Sequence, residues 1–172
     1  PTADFISAYV GGSYDTRDDR INPRKGLFYR ASLEYGRKNE SSFSENPSGT
    51  DTLFVYNSTV IVNRVHQKLN TEKVTMDFET AIPLGRKLIF FDAVHAAVYK
   101  TPQTVVPYSE QFLFGGLKSV RGYTQDFFNG SRVGWNNLEL RWLTSRRSRL
   151  FVFMDIGYYF RNAIESSTVV KQ

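Results

Sequence analysis

The sequence predicts an all-β chain whose antiparallel strands cross a membrane as part of a barrel. Three observations predict it. Apolar and polar residues alternate with period two in segment after segment, as they do where successive side chains face opposite sides of a sheet. The alternating segments run to about ten residues, which suits a tilted strand crossing the hydrocarbon layer. Short and long connections take turns along the chain, the habit of membrane barrels with short turns on one side and long loops on the other.

Composition agrees. The 172 residues are one domain's worth of chain, and 41% of them are hydrophobic, which excludes a disordered composition. Aromatic residues reach 15%, with 14 Phe, 10 Tyr and 2 Trp, and strands and membrane interfaces both favour them. There is no cysteine, so a disulfide scaffold and a thiolate metal site are excluded. The net charge is +5, but the 22 Lys and Arg are spread along the chain and form no stripe that would hold nucleic acid. The one dense basic cluster, Arg146-Arg147-Ser148-Arg149, reads as a turn, with a phosphate or lipid-headgroup contact as the alternative. No apolar run of about 18 residues is present to form a transmembrane helix. The chain opens on Pro1 without a signal peptide and stops on Gln172 without a closing turn, so it is expected to be part of something larger.

Taken in order, the first strand is Phe5 to Tyr14, with Ile6, Ala8, Val10 and Tyr14 on one face and Ser7, Gly11 and Ser13 on the other. A turn-rich stretch from Asp15 to Gly26 leads into a cleaner strand. There Leu27, Tyr29, Ala31, Leu33 and Tyr35 oppose Arg30, Ser32, Glu34 and Gly36. Residues 38 to 51 are polar and turn-forming and read as a long exposed loop. Leu53 to His66 is β-prone without a consistent apolar face, so it reads as a protruding hairpin arm, and 38–71 as a whole is assigned to an extracellular loop or hairpin insertion. Alternation returns at Val74, Met76, Phe78, Thr80 and Ile82, opposed by Lys73, Thr75, Asp77 and Glu79. After the tight turn Pro83-Leu84-Gly85-Arg86 comes an apolar strand from Leu88 to Tyr99, whose faces cannot be separated because Asp92 and His95 fall on opposite sides. Residues 100–131 form a second long connection. Beyond it, Leu138, Leu140 and Trp142 oppose Asn137, Glu139 and Arg141, and then Val152, Met154, Ile156 and Tyr158 oppose Phe153, Asp155 and Gly157. Residues 1–172 thus give about six crossings.

The second long connection contains Gly115-Gly116-Leu117-Lys118-Ser119-Val120-Arg121-Gly122-Tyr123. Glycines let the backbone turn sharply, so Arg121 can be aimed at one target. Glu139 and Asp155 lie on the polar faces of the two following strands. If the polar face is a lumen, Arg121 can fold inward, and its planar fork can hold both carboxylates. The alternative is a hairpin loop with a surface arginine, and carboxylates paired with neighbours such as Arg141.

These residues carry a resemblance. Gly115-Gly116, then Val120-Arg121-Gly122-Tyr123, Leu138-Glu139-Leu140 and Phe153-Met154-Asp155-Ile156-Gly157 resemble the BamA/TpsB superfamily of outer-membrane barrels. Asp15-Thr16-Arg17 and Asn22-Pro23-Arg24-Lys25-Gly26 are similar to a recurrent short periplasmic turn of the same barrels. The resemblance implies that loop 100–131 tucks into the barrel, with Arg121 contacting Glu139 and Asp155. It also implies a barrel of roughly sixteen strands preceded by periplasmic POTRA domains, of which this chain is a later-middle segment.

The function implied is assembly of other barrel proteins, or export of a polypeptide, at the bacterial outer membrane. Expected partners are outer-membrane lipid and lipopolysaccharide, unfolded or secreted polypeptide clients, and accessory periplasmic factors. Two alternatives stand beside it: a barrel anchoring a patatin-like phospholipase, and a soluble ligand-binding β-barrel. No catalysis, cofactor or metal is expected within the chain. His66 and His95 are its two histidines, neither with metal-ligand spacing. Asp77 and Glu79, which invite a glycosidase reading, are alternate residues of one polar strand face.

Overall fold

The period-two pattern is realised, among the described residues, as nine strands in a computed structural model. It describes the backbone of residues 2–45, 51–55, 58–103, 105–145 and 148–161, and the side chains of 4–40, 67–103, 105–145 and 148–161. In chain order the strands are β1 (Thr2–Asp15), β2 (Gly26–Glu45), β3 (Asp51–Val55), β4 (Ser58–Pro83), β5 (Leu88–Lys100), β6 (Phe112–Phe114), β7 (Phe128–Gly130), β8 (Arg132–Leu143) and β9 (Arg149–Phe160). The main sheet is antiparallel in the order β1-β2-β4-β5-β8-β9, with β3 paired to β4, and it is open between β1 and β9. β6 and β7 form a separate two-stranded ribbon. This is the all-β, antiparallel partial barrel that the alternation predicts.

Several strands run past their predicted ends. Residues 38–45, predicted as the start of an exposed loop, continue β2 and pair with 62–69 of β4, Lys38 opposite Leu69 and Glu45 opposite Val62. β3 folds back on the start of β4, with Val55 opposite Ser58. β5 reaches only to Glu72, so the outer part of β4 projects beyond it with β2 alongside. The cause is local: residues 38–41 keep their backbone groups paired with both β1 and β4, and 42–45 with β4, in a ladder where burial of a face is not required. Residues 46–50, the basic pair Arg146 and Arg147, and the last residues to Gln172 lie outside the described residues.

Register sorts the side chains into two faces, since residues opposite each other in an antiparallel ladder share a face. One rung runs Phe78, Val94, Asn136, Ile156, and the next Thr80, Asp92, Leu138, Met154. That outer face also carries Val10, Leu33, Leu140 and Trp142, and much of it is exposed: Val152 and Val10 are 68% and 66% accessible. The opposite, inner face carries the rungs Asp77, His95, Trp135, Gly157 and Glu79, Ala93, Asn137, Asp155. β5, which the sequence alone could not orient, turns Ile89, Phe91, Ala93 and His95 inward and Phe90, Asp92 and Val94 outward. The inward apolar residues Ile89, Phe91 and Ala93 pack with Ala81 and Leu143 as one of two small buried clusters. An exposed apolar face on this scale is not a surface that water tolerates.

Candidate functional site

The long connection between β5 and β8 folds down on the inner face of β8 and β9. Gly115 and Gly116 adopt φ of +126° and +88°, which side-chain-bearing residues rarely take. A Cβ on Gly115 would also sit 2.8 Å from the Thr124 carbonyl oxygen. The turn they make is closed by its own hydrogen bonds. The Ser119 hydroxyl accepts from Gly115 N–H at 2.7 Å, and the Val120 carbonyl accepts from Gly116 N–H at 3.1 Å. Val120 is thereby driven into the second buried cluster, with Phe114, Ala97 and Val133.

Immediately after Val120, Arg121 meets the inner face. Its backbone N–H and its Nε donate to Asp155 Oδ2 at 2.9 and 2.7 Å, and Nη2 donates to Oδ1 at 2.5 Å. Nη1 donates to Glu139 Oε1 at 2.5 Å. The guanidinium lies over the Phe153 ring, 3.9 Å from its centroid. Both carboxylates are buried, with side-chain exposures of 3% for Asp155 and 8% for Glu139. Charge-assisted, forked contacts in such a setting are far stronger than surface pairs. The Asp155 hydrogen bonds, followed by those of Glu139, raise the Arg121 pKa above its ordinary value, so the cation is permanent.

The predicted residues do not all meet at this point. Gly115, Gly116, Val120, Arg121, Glu139 and Asp155 form one continuous structure. Gly122 supplies a positive φ of +92° on leaving it. Tyr123 turns away, half exposed, with its ring edge-on to Phe128 and tilted against Phe127. The pairing of Glu139 with Arg141 also exists, since Arg141 Nε donates to Glu139 Oε2 at 2.6 Å. Glu139 thus bridges two arginines, and its two pairings coexist.

Sequence reasoning leaves out three contributors and offers a fourth, Arg141, only as an alternative partner of the carboxylates. Asn137 donates through Nδ2 to Asp155 Oδ1 at 2.8 Å and to the Ser119 carbonyl, so one amide ties the loop to the wall. Ser119 closes the glycine turn. Arg141, 3% exposed, lies over Phe91 with 3.5 Å to the ring centroid. Gly157 leaves the space that Val120 and Phe114 fill, because a Cβ there would come within 3.0 and 3.1 Å of them. The available signal was spacing: Asn137 and Arg141 flank Glu139 by two residues, and Gly157 follows Asp155 by two, on one strand face.

Two further inward carboxylates, Asp77 and Glu79, are also paired. Asp77 accepts from Arg30 and lies 2.7 Å from His95 Nδ1, while Glu79 accepts from Arg17 Nη1 at 2.5 Å. His95 stacks on Trp135. Among the described residues no group of three or more His, Cys, Asp or Glu is placed to hold a metal ion.

With this geometry in place, comparison with known proteins is decisive on kinship. The model of the Omp85 superfamily domain matches residues 2–171. This chain belongs to the Omp85 superfamily. The match bears out the resemblance carried by the loop and strand motifs, and it places this Omp85 chain in the bacterial outer membrane. That location stands against the soluble-barrel alternative. The chain is also similar to the outer membrane protein assembly factor BamA of Nitratidesulfovibrio vulgaris strain Hildenborough, 24% identical over 172 aligned residues. That alignment takes in 92% of this Omp85 chain and 19% of the relative, so the chain spans about a fifth of that protein's length.

Proposed function

We propose that this chain is a wall segment of an Omp85 barrel that inserts other barrel proteins into the outer membrane or passes polypeptides across it. In this reading loop 100–131 is held within the lumen, and Arg121, Glu139 and Asp155 are the clamp that holds it. The observation that carries the reading is a single loop cation shared by two buried carboxylates on adjacent strands of the inner face. The name of the relative, an assembly factor, supports the assembly side of the proposal. The work is mechanical: the clamp fixes where the loop lies, and the loop fixes the shape and openness of the lumen. No bond of a client is made or broken. Outer-membrane lipid and lipopolysaccharide meet the apolar face of β8 and β9, and unfolded or secreted polypeptides are the clients, delivered by accessory periplasmic factors.

The test uses the full-length protein reconstituted in lipid vesicles, with insertion of a small unfolded barrel protein as the readout. Arg121→Ala is expected to remain membrane-inserted and to slow client insertion substantially. Insertion at the unaltered rate by a folded Arg121→Ala protein would overturn the reading.

A further inference from the structure

Loop 100–131 touches the inner face at a second place, well separated in sequence from Arg121 and opposite in charge. Its short 3₁₀ turn, Tyr108–Glu110, presents Glu110 to two different strands of the wall. Lys38 of β2 donates from Nζ to Glu110 Oε1 at 2.6 Å, and the Tyr99 hydroxyl of β5 donates to Oε2 at 2.7 Å. Each carboxylate oxygen therefore has its own donor. The group is sheltered, with side-chain exposures of 13% for Lys38 and 20% for Glu110.

We propose that Glu110 is a second positioning residue for this loop, pinning its leading end to β2 and β5 as Arg121 pins its trailing end to β8 and β9. The inference rests on the clamp reading of Arg121 and extends it from a point to a strap. Three further observations carry it. Lys38 is itself fixed, since Glu40 lies 3.4 Å from its ammonium and Gln103 of the loop donates to that same Glu40 at 2.8 Å. Gln111, next to Glu110, donates to the Val106 carbonyl at 2.8 Å and accepts from Asn129 at 2.5 Å, which ties the turn to the β6–β7 ribbon and so to Phe114 and Val120. Lys73 of β4 lies over the Phe112 ring at 5.2 Å, a contact on the strand between the two Glu110 donors.

The two anchors differ in kind. Arg121 is forked between two carboxylates and lies over the Phe153 ring, whereas Glu110, Lys38, Lys73, Tyr99 and Phe112 border a cavity of about 300 Å³. A carboxylate held by one ammonium and one phenol lacks the planar fork of an arginine pair, and it stands beside space into which it can move. The strap thus reaches from β2 across β4, β5 and β8 to β9, with its firmer end on β8 and β9.

Hydrogen exchange of the full-length protein in lipid vesicles tests this, read on peptides covering 105–112 and 117–123. Glu110→Gln is expected to speed exchange in 105–112 about tenfold, equivalent to ~1.4 kcal/mol of local protection, and to leave 117–123 unchanged. The charge-swapped pair Lys38→Glu with Glu110→Lys is expected to restore slow exchange, which a merely bulky contact would not. Unchanged 105–112 in Glu110→Gln, alongside faster 117–123 in Arg121→Ala, would overturn the second anchor and leave the clamp standing. Unchanged exchange in both variants would remove the clamp as well. Loss of protection in both peptides from Glu110→Gln, without rescue by the swap, would also overturn it, because the residue would then be supporting the fold at large.

Discussion

Arg121 and Asp155 are joined by three hydrogen bonds, one of them from the Arg121 backbone N–H, so the loop's main chain and side chain are fixed to one carboxylate. Arg121→Ala leaves Asp155 and Glu139 buried with their principal cation gone, a loss of about 3–5 kcal/mol for a buried charge pair. Arg121→Lys keeps the charge without the fork and is expected to recover only part of that. Heat stability of the folded barrel on a denaturing gel, together with protease resistance of loop 100–131, checks both variants. Equal stability of the Ala variant and the unaltered protein would rule out the clamp.

Glu139 stands between Arg121 and Arg141, accepting from each with a different oxygen. Neutralising it leaves Arg141 without its carboxylate, while Arg121 keeps Asp155. Arg141 is the more exposed to that loss energetically, because it is buried and its Nη1 has no hydrogen-bond partner among the described residues. Glu139→Gln is therefore expected to cost about 2–4 kcal/mol, and Arg141→Leu less, since Glu139 then keeps Arg121 as its partner and no buried carboxylate is left unpaired. The double variant is expected to be more stable than the sum of the two singles predicts. Urea unfolding in vesicles gives the coupling, and strict additivity would mean that the bridge contributes nothing.

Gly157 lies on the same inner strand face as Asp155, where its missing side chain is filled by Val120 and Phe114 of the loop. Gly157→Val is expected to push these apart and to cost about 1–3 kcal/mol, the usual scale of overpacking. The informative sign is where the cost appears: faster proteolysis of loop 100–131 with β8 and β9 still paired. An unaltered digestion pattern would show that the loop does not depend on this contact.

Much of this arrangement is legible in the amino-acid sequence. The outward series Leu27, Tyr29, Ala31, Leu33 and the inward placement of Glu139 and Asp155 follow from period-two alternation, because one face of the wall must be apolar and the other need not be. β5 resists the same treatment. Its inward residues Ile89, Phe91 and Ala93 are as apolar as its outward ones, since they pack with Ala81 and Leu143, and Arg141 lies over Phe91. Its outward face also carries Asp92, whose carboxylate accepts from Asn136 of β8 at 2.5 Å, a cross-strand partner that hydropathy does not reveal. Glu110 escapes sequence reasoning for a related reason. Its partners Lys38 and Tyr99 lie on β2 and β5, and only strand register brings them to one place.

The outer face yields the last prediction, and depth sets its size. Met154 lies mid-strand on β9, outward in the rung Thr80, Asp92, Leu138, Met154, whereas Leu150 lies near the turn into β9. An arginine at the bilayer midplane of a barrel costs about 2–4 kcal/mol, falling to about 0–1 near the interface, because a side chain close to the boundary reaches the headgroups. Met154→Arg is therefore expected to lower folding stability in vesicles by the larger amount, and Leu150→Arg by little. Both variants should fold comparably in detergent micelles, where water and headgroups approach the whole wall. A midplane arginine tolerated as well as the one near the turn would place this face away from lipid.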